Sequence, residues 1–240
     1  MATPVKFQGE VVEISRHSTD VVTYEFRYVG LRPRYRPGQF VHLALDPFDP
    51  SRHWPESRAF TIAKGPTDRD LIRLTIAAKG SFTRRIVDEL EVGRIVWMKG
   101  PYGKFIVQDS ADADAILIAG GTGVTPFVAF MEDALVKGIV GSVCLHYGTR
   151  DPDLLTFRSL AEQCVRELTK FQAHYYSENG KAEGVTQGQM SIDTIVAGID
   201  DVPRSVFYLC GPEQMVEAFS SRLTGEFGVS AEHVRIDEWG

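Results

Sequence analysis

The chain has 240 residues, with 26 Lys and Arg against 32 Asp and Glu, a formal charge of −6, and 43% hydrophobic residues. That is apolar enough to bury one large core or two ordinary ones, and it excludes a disordered or collagen-like chain. The negative balance supplies no basic excess for a phosphate backbone, so nucleic acid is excluded as a partner.

Short β-rich runs separated by turn residues fill the first hundred positions, at 9–15, 21–28, 39–45, 58–63, 71–77 and 94–99. Their spacing leaves room for only one helix, at 82–90, which predicts an antiparallel barrel. The small, acidic stretch 108–114 reads as a linker, dividing the chain into domains 1–108 and 109–240. Past it, the apolar run 115–119 has the character of a strand buried on both faces, and it leads through glycines into a periodic helix at 126–137. Strand runs at 142–147, 171–177, 205–210 and 234–236 alternate with helical segments at 154–169 and 212–227. This rhythm predicts five parallel strands joined by right-handed crossovers.

Cys144, Cys164 and Cys210 lie too far apart for a zinc or iron–sulfur ligand set, so no metal and no cluster is expected. An odd count without a C-x-x-C motif gives no disulfide framework and suits a reducing compartment. The first six residues lack an apolar signal core, and no run reaches the length of a membrane span, so a soluble, cytoplasmic protein is expected.

The strongest local signal is Gly120-Gly121-Thr122-Gly123-Val124-Thr125-Pro126, set between a buried strand and a helix. Glycines let backbone approach a pyrophosphate, a helix N-terminus offers free N–H groups, and Pro126 fits the first turn, where its missing N–H costs nothing. The same residues also read as a structural turn, and Pro126 stands where the dinucleotide fingerprint G-x-G-x-x-G has its third glycine. In the first domain, Arg58-Ala59-Phe60-Thr61 precedes Gly80-Ser81-Phe82-Thr83. Arg58 suits a phosphate, Phe60 a planar ring, and Ser81 and Thr83 phosphate oxygens; read structurally, they are an edge arginine, a core ring and a helix cap. Cys210-Gly211-Pro212 turns a strand into a helix, and a buried structural cysteine would serve there equally.

Taken in order, these segments resemble the ferredoxin-NADP reductase family of flavoproteins. Its R-x-Y-S/T motif is similar to residues 58–61, its G-x-x-S/T turn to 80–83, its G-G-T-G-x-T-P loop to 120–126 and its C-G-P to 210–212. Segments 37–40 (Pro-Gly-Gln-Phe) and 100–105 (Gly-Pro-Tyr-Gly-Lys-Phe) also resemble the family's. The resemblance implies a flavin-binding Greek-key barrel and a Rossmann-like nucleotide domain, with hydride passing from NAD(P)H to a bound flavin. It implies that Arg58 contacts flavin phosphate, that Phe60 lies along the isoalloxazine, and that Thr61 sits at the ring's N5 edge. Phe60 departs from the family's tyrosine, which removes a phenol hydrogen bond and keeps the stacking.

The resemblance further implies that Thr122 to Thr125 line the pyrophosphate and that Cys210 approaches the nicotinamide C4. Trp239 is similar to the family's terminal aromatic, which covers the flavin, although here it is penultimate. Glu238 or Asp237 suits a proton relay, or else a solvated terminal carboxylate. Thr149 and Arg150 would meet a ribose or a 2′-phosphate, and Glu178 stands where NADPH-specific relatives have an arginine, so the reading leans to NADH. FAD is favoured over FMN, with Trp54 or Tyr102 as candidates to stack on its adenine. Without cluster ligands, electrons must leave for a separate acceptor, such as ferredoxin, flavodoxin or an oxygenase component. Arg32, Arg34, Arg36, Arg84 and Arg85 could form a docking face for it, or else be solvated or bind the flavin phosphates. The alternatives are reduction of small acceptors, such as free flavin or ferric chelates, and a flavin-binding subunit of a larger complex.

Overall fold

The computed structural model describes residues 3–68 and 70–237. Two compact units divide the chain, one ending at Ile106 and the other starting at Val107. In the first, strands β1 (Val5–Arg16), β2 (Val21–Val29), β3 (Phe40–Ala44), β4 (Ser57–Thr61), β5 (Leu71–Ala77) and β6 (Ile95–Tyr102) form one antiparallel sheet in the order β4-β3-β6-β1-β2-β5. The sheet curls until its two edges meet, and just beyond β4 the Ala63 N–H donates to the Arg73 carbonyl of β5 at 2.9 Å. This is the near-barrel that the strand spacing predicts. Alternating apolar residues fill it, among them Val22, Tyr24, Phe26, Leu43, Leu74 and Met98, all with no exposed surface. Helix α1 (Ser81–Glu89) buries Phe82 and Ile86 in this same core.

The second unit is a parallel sheet of β7 (Ala115–Gly120), β8 (Val143–Thr149), β9 (Phe171–Ser177), β10 (Val185–Gln187), β11 (Val206–Cys210) and β12 (Val234–Ile236), ordered β10-β9-β8-β7-β11-β12. All six residues of β7 are buried, as a central strand covered on both faces requires. Helices α2 (Thr125–Lys137), α3 (Arg158–Glu167), α4 (Ile192–Ala197) and α5 (Glu213–Gly225) supply the cover. The sheet has six strands where the sequence predicts five. The extra strand, β10, spans three residues and holds no buried one, so it carries no hydrophobic signature, and helix α4 is only six residues long. The acidic stretch after Val107 is tied into this unit: the Asp109 carboxylate accepts the N–H groups of Val140 and Gly141 at 2.6 and 2.7 Å. No helix among the described residues is long and apolar enough to cross a membrane.

Candidate functional site

In the barrel, β4 lies at the sheet edge with Phe60 opposite Val41 and Arg58 opposite Leu43. Strand alternation therefore puts Arg58 and Phe60 on the core-facing side, and Phe60 packs on the barrel core. The Arg58 guanidinium lies 5.1 Å from the centre of the Phe82 ring, which joins the two motifs across two dozen residues of sequence. It is half-exposed and also donates to Glu56 Oε1 at 3.0 Å and to the Ser57 carbonyl at 2.9 Å. Phe82 itself is 3% exposed and belongs to the core, so its part in the motif is to seat the arginine.

Gly80 precedes α1 in an extended conformation with open space about its Cα, and Ser81 is exposed at the first helical position. The first-turn N–H groups have no partner within the helix. The Thr83 hydroxyl folds back instead, accepting from Lys79 N and Gly80 N at 3.0 and 2.9 Å, so it shapes the turn. Ala59 and Thr61 occupy the opposite face of β4, where Thr61 pairs with Phe40 and Ala59 with His42. Thr61 is 4% exposed, and its Oγ1 is buried with no hydrogen-bond partner among the described residues. A buried hydroxyl left unpaired is costly, and the ring edge of a flavin would satisfy it, so this end of β4 fits the group.

The two adenine candidates are already engaged by other residues of the barrel unit, outside its core. Trp54 packs on Phe48 with ring centres 5.3 Å apart and donates Nε1–H to Ser57 Oγ at 3.0 Å, while Tyr102 stacks on Phe40 at 5.7 Å. His42 closes the Phe40–Tyr102 cluster, and burial, aided by the Lys99 charge, holds its pKa below the usual imidazole value. Nothing in the sequence marked His42; only its pairing opposite Ala59 reveals it. Of the candidate docking arginines, Arg32 pairs with Asp70 and Arg85 with Asp46 and Glu89, whereas Arg34, Arg36 and Arg84 are exposed.

In the parallel sheet the strand order reverses beside β7: its chain successors run out through β8, whereas β11 lies on its other side. A crevice at such a switch point, at the carboxyl ends of the strands, is where open α/β sheets take ligands. The two nucleotide motifs sit there and interlock. Cys210 pairs in register with Ala119, and a Cβ on Gly123 would overlap the Cys210 carbonyl. A Cβ on Gly120 would meet Pro212 Cδ at 2.6 Å, and one on Gly211 would lie 2.9 Å from Gly120 Cα. Met215, which no sequence motif marks, also presses on Gly120 and Gly211.

Gly121 differs, with φ of +56° and nothing within 4 Å of a Cβ position, so it is the step of the loop with open space beside its backbone. Thr122 follows it in a single 3-10 turn, and Thr125 Oγ1 donates to the Thr122 carbonyl at 3.0 Å. Pro126 takes the first turn of α2.

Cys210 is 3% exposed and its thiol donates to Asp237 Oδ2 at 3.5 Å. Burial raises the Asp237 carboxyl to about 6, against the opposing effect of that hydrogen bond. The solvated terminal carboxylate is thus corrected at Asp237: β12 pairs with β11, and the Asp237 N–H donates to the Leu209 carbonyl at 3.2 Å, which turns the carboxylate onto the cysteine. Glu238 and Trp239 lie outside the described residues. At the ends of β8 and β9, Thr149 Oγ1 donates to the Asp151 carbonyl at 2.8 Å and Asn179 N to the Arg150 carbonyl at 2.8 Å. Both Arg150 and Glu178 are exposed.

Family models match each half. Residues 8–106 match an oxidoreductase FAD-binding domain and residues 117–221 an oxidoreductase NAD-binding domain. The ferredoxin reductase component of 3-ketosteroid-9-alpha-monooxygenase from Mycolicibacterium smegmatis is 28% identical over 86% of this chain and 56% of its own length. The phenol 2-monooxygenase reductase component DmpP of Pseudomonas sp. is 29% identical over 79% and 53%. The chain thus spans little more than half the length of these relatives. In fold it is similar to the cytochrome P450 reductase GcoB of Amycolatopsis, at a TM-score of 0.82 and 21% identity over 100% of this chain and 71% of that one. A ferredoxin NADP+ reductase from Neisseria gonorrhoeae, solved with bound FAD and NADP, gives a TM-score of 0.81 at 14% identity, covering 97% and 98% of the two chains. An FAD-binding domain followed by an NAD-binding domain along nearly the whole sequence places the chain in the ferredoxin-NADP reductase family of flavoproteins.

Proposed function

We propose that the chain is an NAD(P)H-dependent reductase that takes hydride onto bound FAD and passes the electrons to a separate acceptor, an oxygenase component or its ferredoxin, in the cytoplasm. The observation that carries this reading is Cys210, fixed by Asp237 at the carboxyl end of β11, where the strand order reverses beside the nucleotide loop. When bound, the flavin supplies conversion of a two-electron donor into single electrons. Arg58 holds its phosphate, Phe60 offers an apolar face and Thr61 directs a hydroxyl to the ring edge. The backbone at Gly121 and the start of α2 receive the pyrophosphate, whose charge the helix terminus favours. Cys210 occupies the nicotinamide end with its thiol held in one rotamer by the carboxylate.

The relatives' names, reductase components of monooxygenases, support an oxygenase system as the acceptor. NADH is the preferred donor in this reading. Glu178 follows β9, its N–H held at 3.1 Å by the Thr149 carbonyl, and its negative charge would repel a 2′-phosphate there. The three free cysteines suit a reducing compartment.

The test is an anaerobic visible titration of the purified protein with NADH and then NADPH. Bleaching of a flavin spectrum by sub-stoichiometric NADH, with NADPH slower, is the expected result, and no response to either nucleotide overturns the reading. Rapid turnover with ferricyanide or free flavin and none with a carrier protein would place the chain among small-acceptor reductases.

A further inference from the structure

We propose that Glu56 is an internal competitor for the flavin phosphate, which makes flavin binding by this chain exchangeable. The inference rests on the reading that Arg58 carries that phosphate. Glu56 lies immediately before β4, and its two carboxylate oxygens reach two different arginines. Oε1 is 3.0 Å from Arg58 Nη2 on β4, and Oε2 is 4.0 Å from Arg85 Nη1 in α1. One carboxylate therefore bridges two guanidinium groups beside the N-terminal turn of a helix, an arrangement that suits a flavin phosphate group equally well.

Arg85 is already engaged, by Asp46 at 3.2 Å and by Glu89 at 2.8 Å, so Arg58 is the guanidinium for which Glu56 and a phosphate compete. A phosphate entering this cluster must displace Glu56 from Arg58 and then sit beside its negative charge. Both members of the Arg58–Glu56 pair are about half exposed, at 52% and 51%, so the pair is weak and exchanges readily. Glu56 thus lowers affinity without blocking entry. Phe60 adds no phenol hydroxyl to compensate. Among the described residues Glu89 pairs with Arg85 and not with Arg58, which makes it the internal control.

The experiment is a fluorescence-quenching titration of flavin-stripped protein with riboflavin, FMN and FAD, on the wild type and on Glu56→Gln, Glu89→Gln and Arg58→Ala. Glu56→Gln is expected to tighten FMN and FAD on the order of three- to tenfold and to leave riboflavin, which has no phosphate, unchanged. Glu89→Gln should leave all three within about twofold. FMN and FAD affinities that stay at the wild-type value or weaken in Glu56→Gln, while Arg58→Ala still weakens them, overturn the competitor and leave the Arg58 reading intact. Equal tightening by Glu89→Gln overturns it as well, because the effect would then be bulk charge. If Arg58→Ala fails to separate FMN from riboflavin, the phosphate reading itself falls, and the competitor with it.

Discussion

The two candidate sites, one in each unit, are built on opposite principles. On the barrel, the flavin motif is loosely determined by its surroundings: Arg58 is half-exposed and ion-paired, Gly80 stands in open space, and Thr61 keeps a buried hydroxyl without a partner among the described residues. In the parallel sheet, the nucleotide motifs are locked to each other, backbone against backbone, at Gly123 and Cys210. The barrel half should therefore answer to charge, and the sheet half to volume.

The largest expected effect tests volume. Gly123→Ala places a Cβ on the Cys210 carbonyl, with backbone on both sides of the clash and no side chain able to yield. We expect a loss of about 3 kcal/mol or more from the NAD-binding unit, read as a drop in its melting temperature. An unchanged melting curve would break the contrast. Next, Arg58→Ala should weaken flavin binding roughly 10- to 100-fold with the fold intact, seen as colourless protein after gel filtration. Cys210→Ala should slow flavin reduction in stopped flow by about tenfold while the flavin stays bound, as the proposed placement of Cys210 at the nicotinamide requires.

A smaller effect concerns pH. Asp237 is raised to about 6 in the fold, so between its ordinary value and 6 the folded chain binds more protons than the unfolded one. Its contribution to stability is then present in acid and lost as pH rises through that window, by on the order of 1–3 kcal/mol. Asp237→Asn should remove that slope, and an identical pH–stability curve in the variant would exclude the buried carboxylate as its source. The smallest effect is expected at Gly80→Ala, where φ of −127° and empty surroundings predict a stability change within about 0.5 kcal/mol. A large loss there would show that the barrel half is also sterically determined.

Much of the fold was legible because it follows from local pattern. The alternation of β2 and β5 and the unbroken apolar run of β7 announce a half-buried strand and a fully buried one. Strand β10 escaped because three residues with none buried carry no period, and α4 because its six residues scarcely make two turns. The glycine-rich loop, the arginine motif and the cysteine turn were all readable, since each needs unusual residue types at fixed spacing. Their mutual contacts were not. Met215 and His42 are ordinary residues in ordinary elements, and only packing sets one against Gly120 and the other opposite Ala59.

By itself, then, the sequence determined the order of the two domains, the flavin and nucleotide motifs and the absence of cluster-forming cysteine spacing. Those properties reside in residue identity and short-range spacing. The tertiary structure alone decided which charges meet: Glu56 between Arg58 and Arg85, and the Asp237 carboxylate on the Cys210 thiol. Such pairings depend on strand register and helix placement, which bring together groups as distant in sequence as Cys210 and Asp237, and no local pattern of residues encodes them.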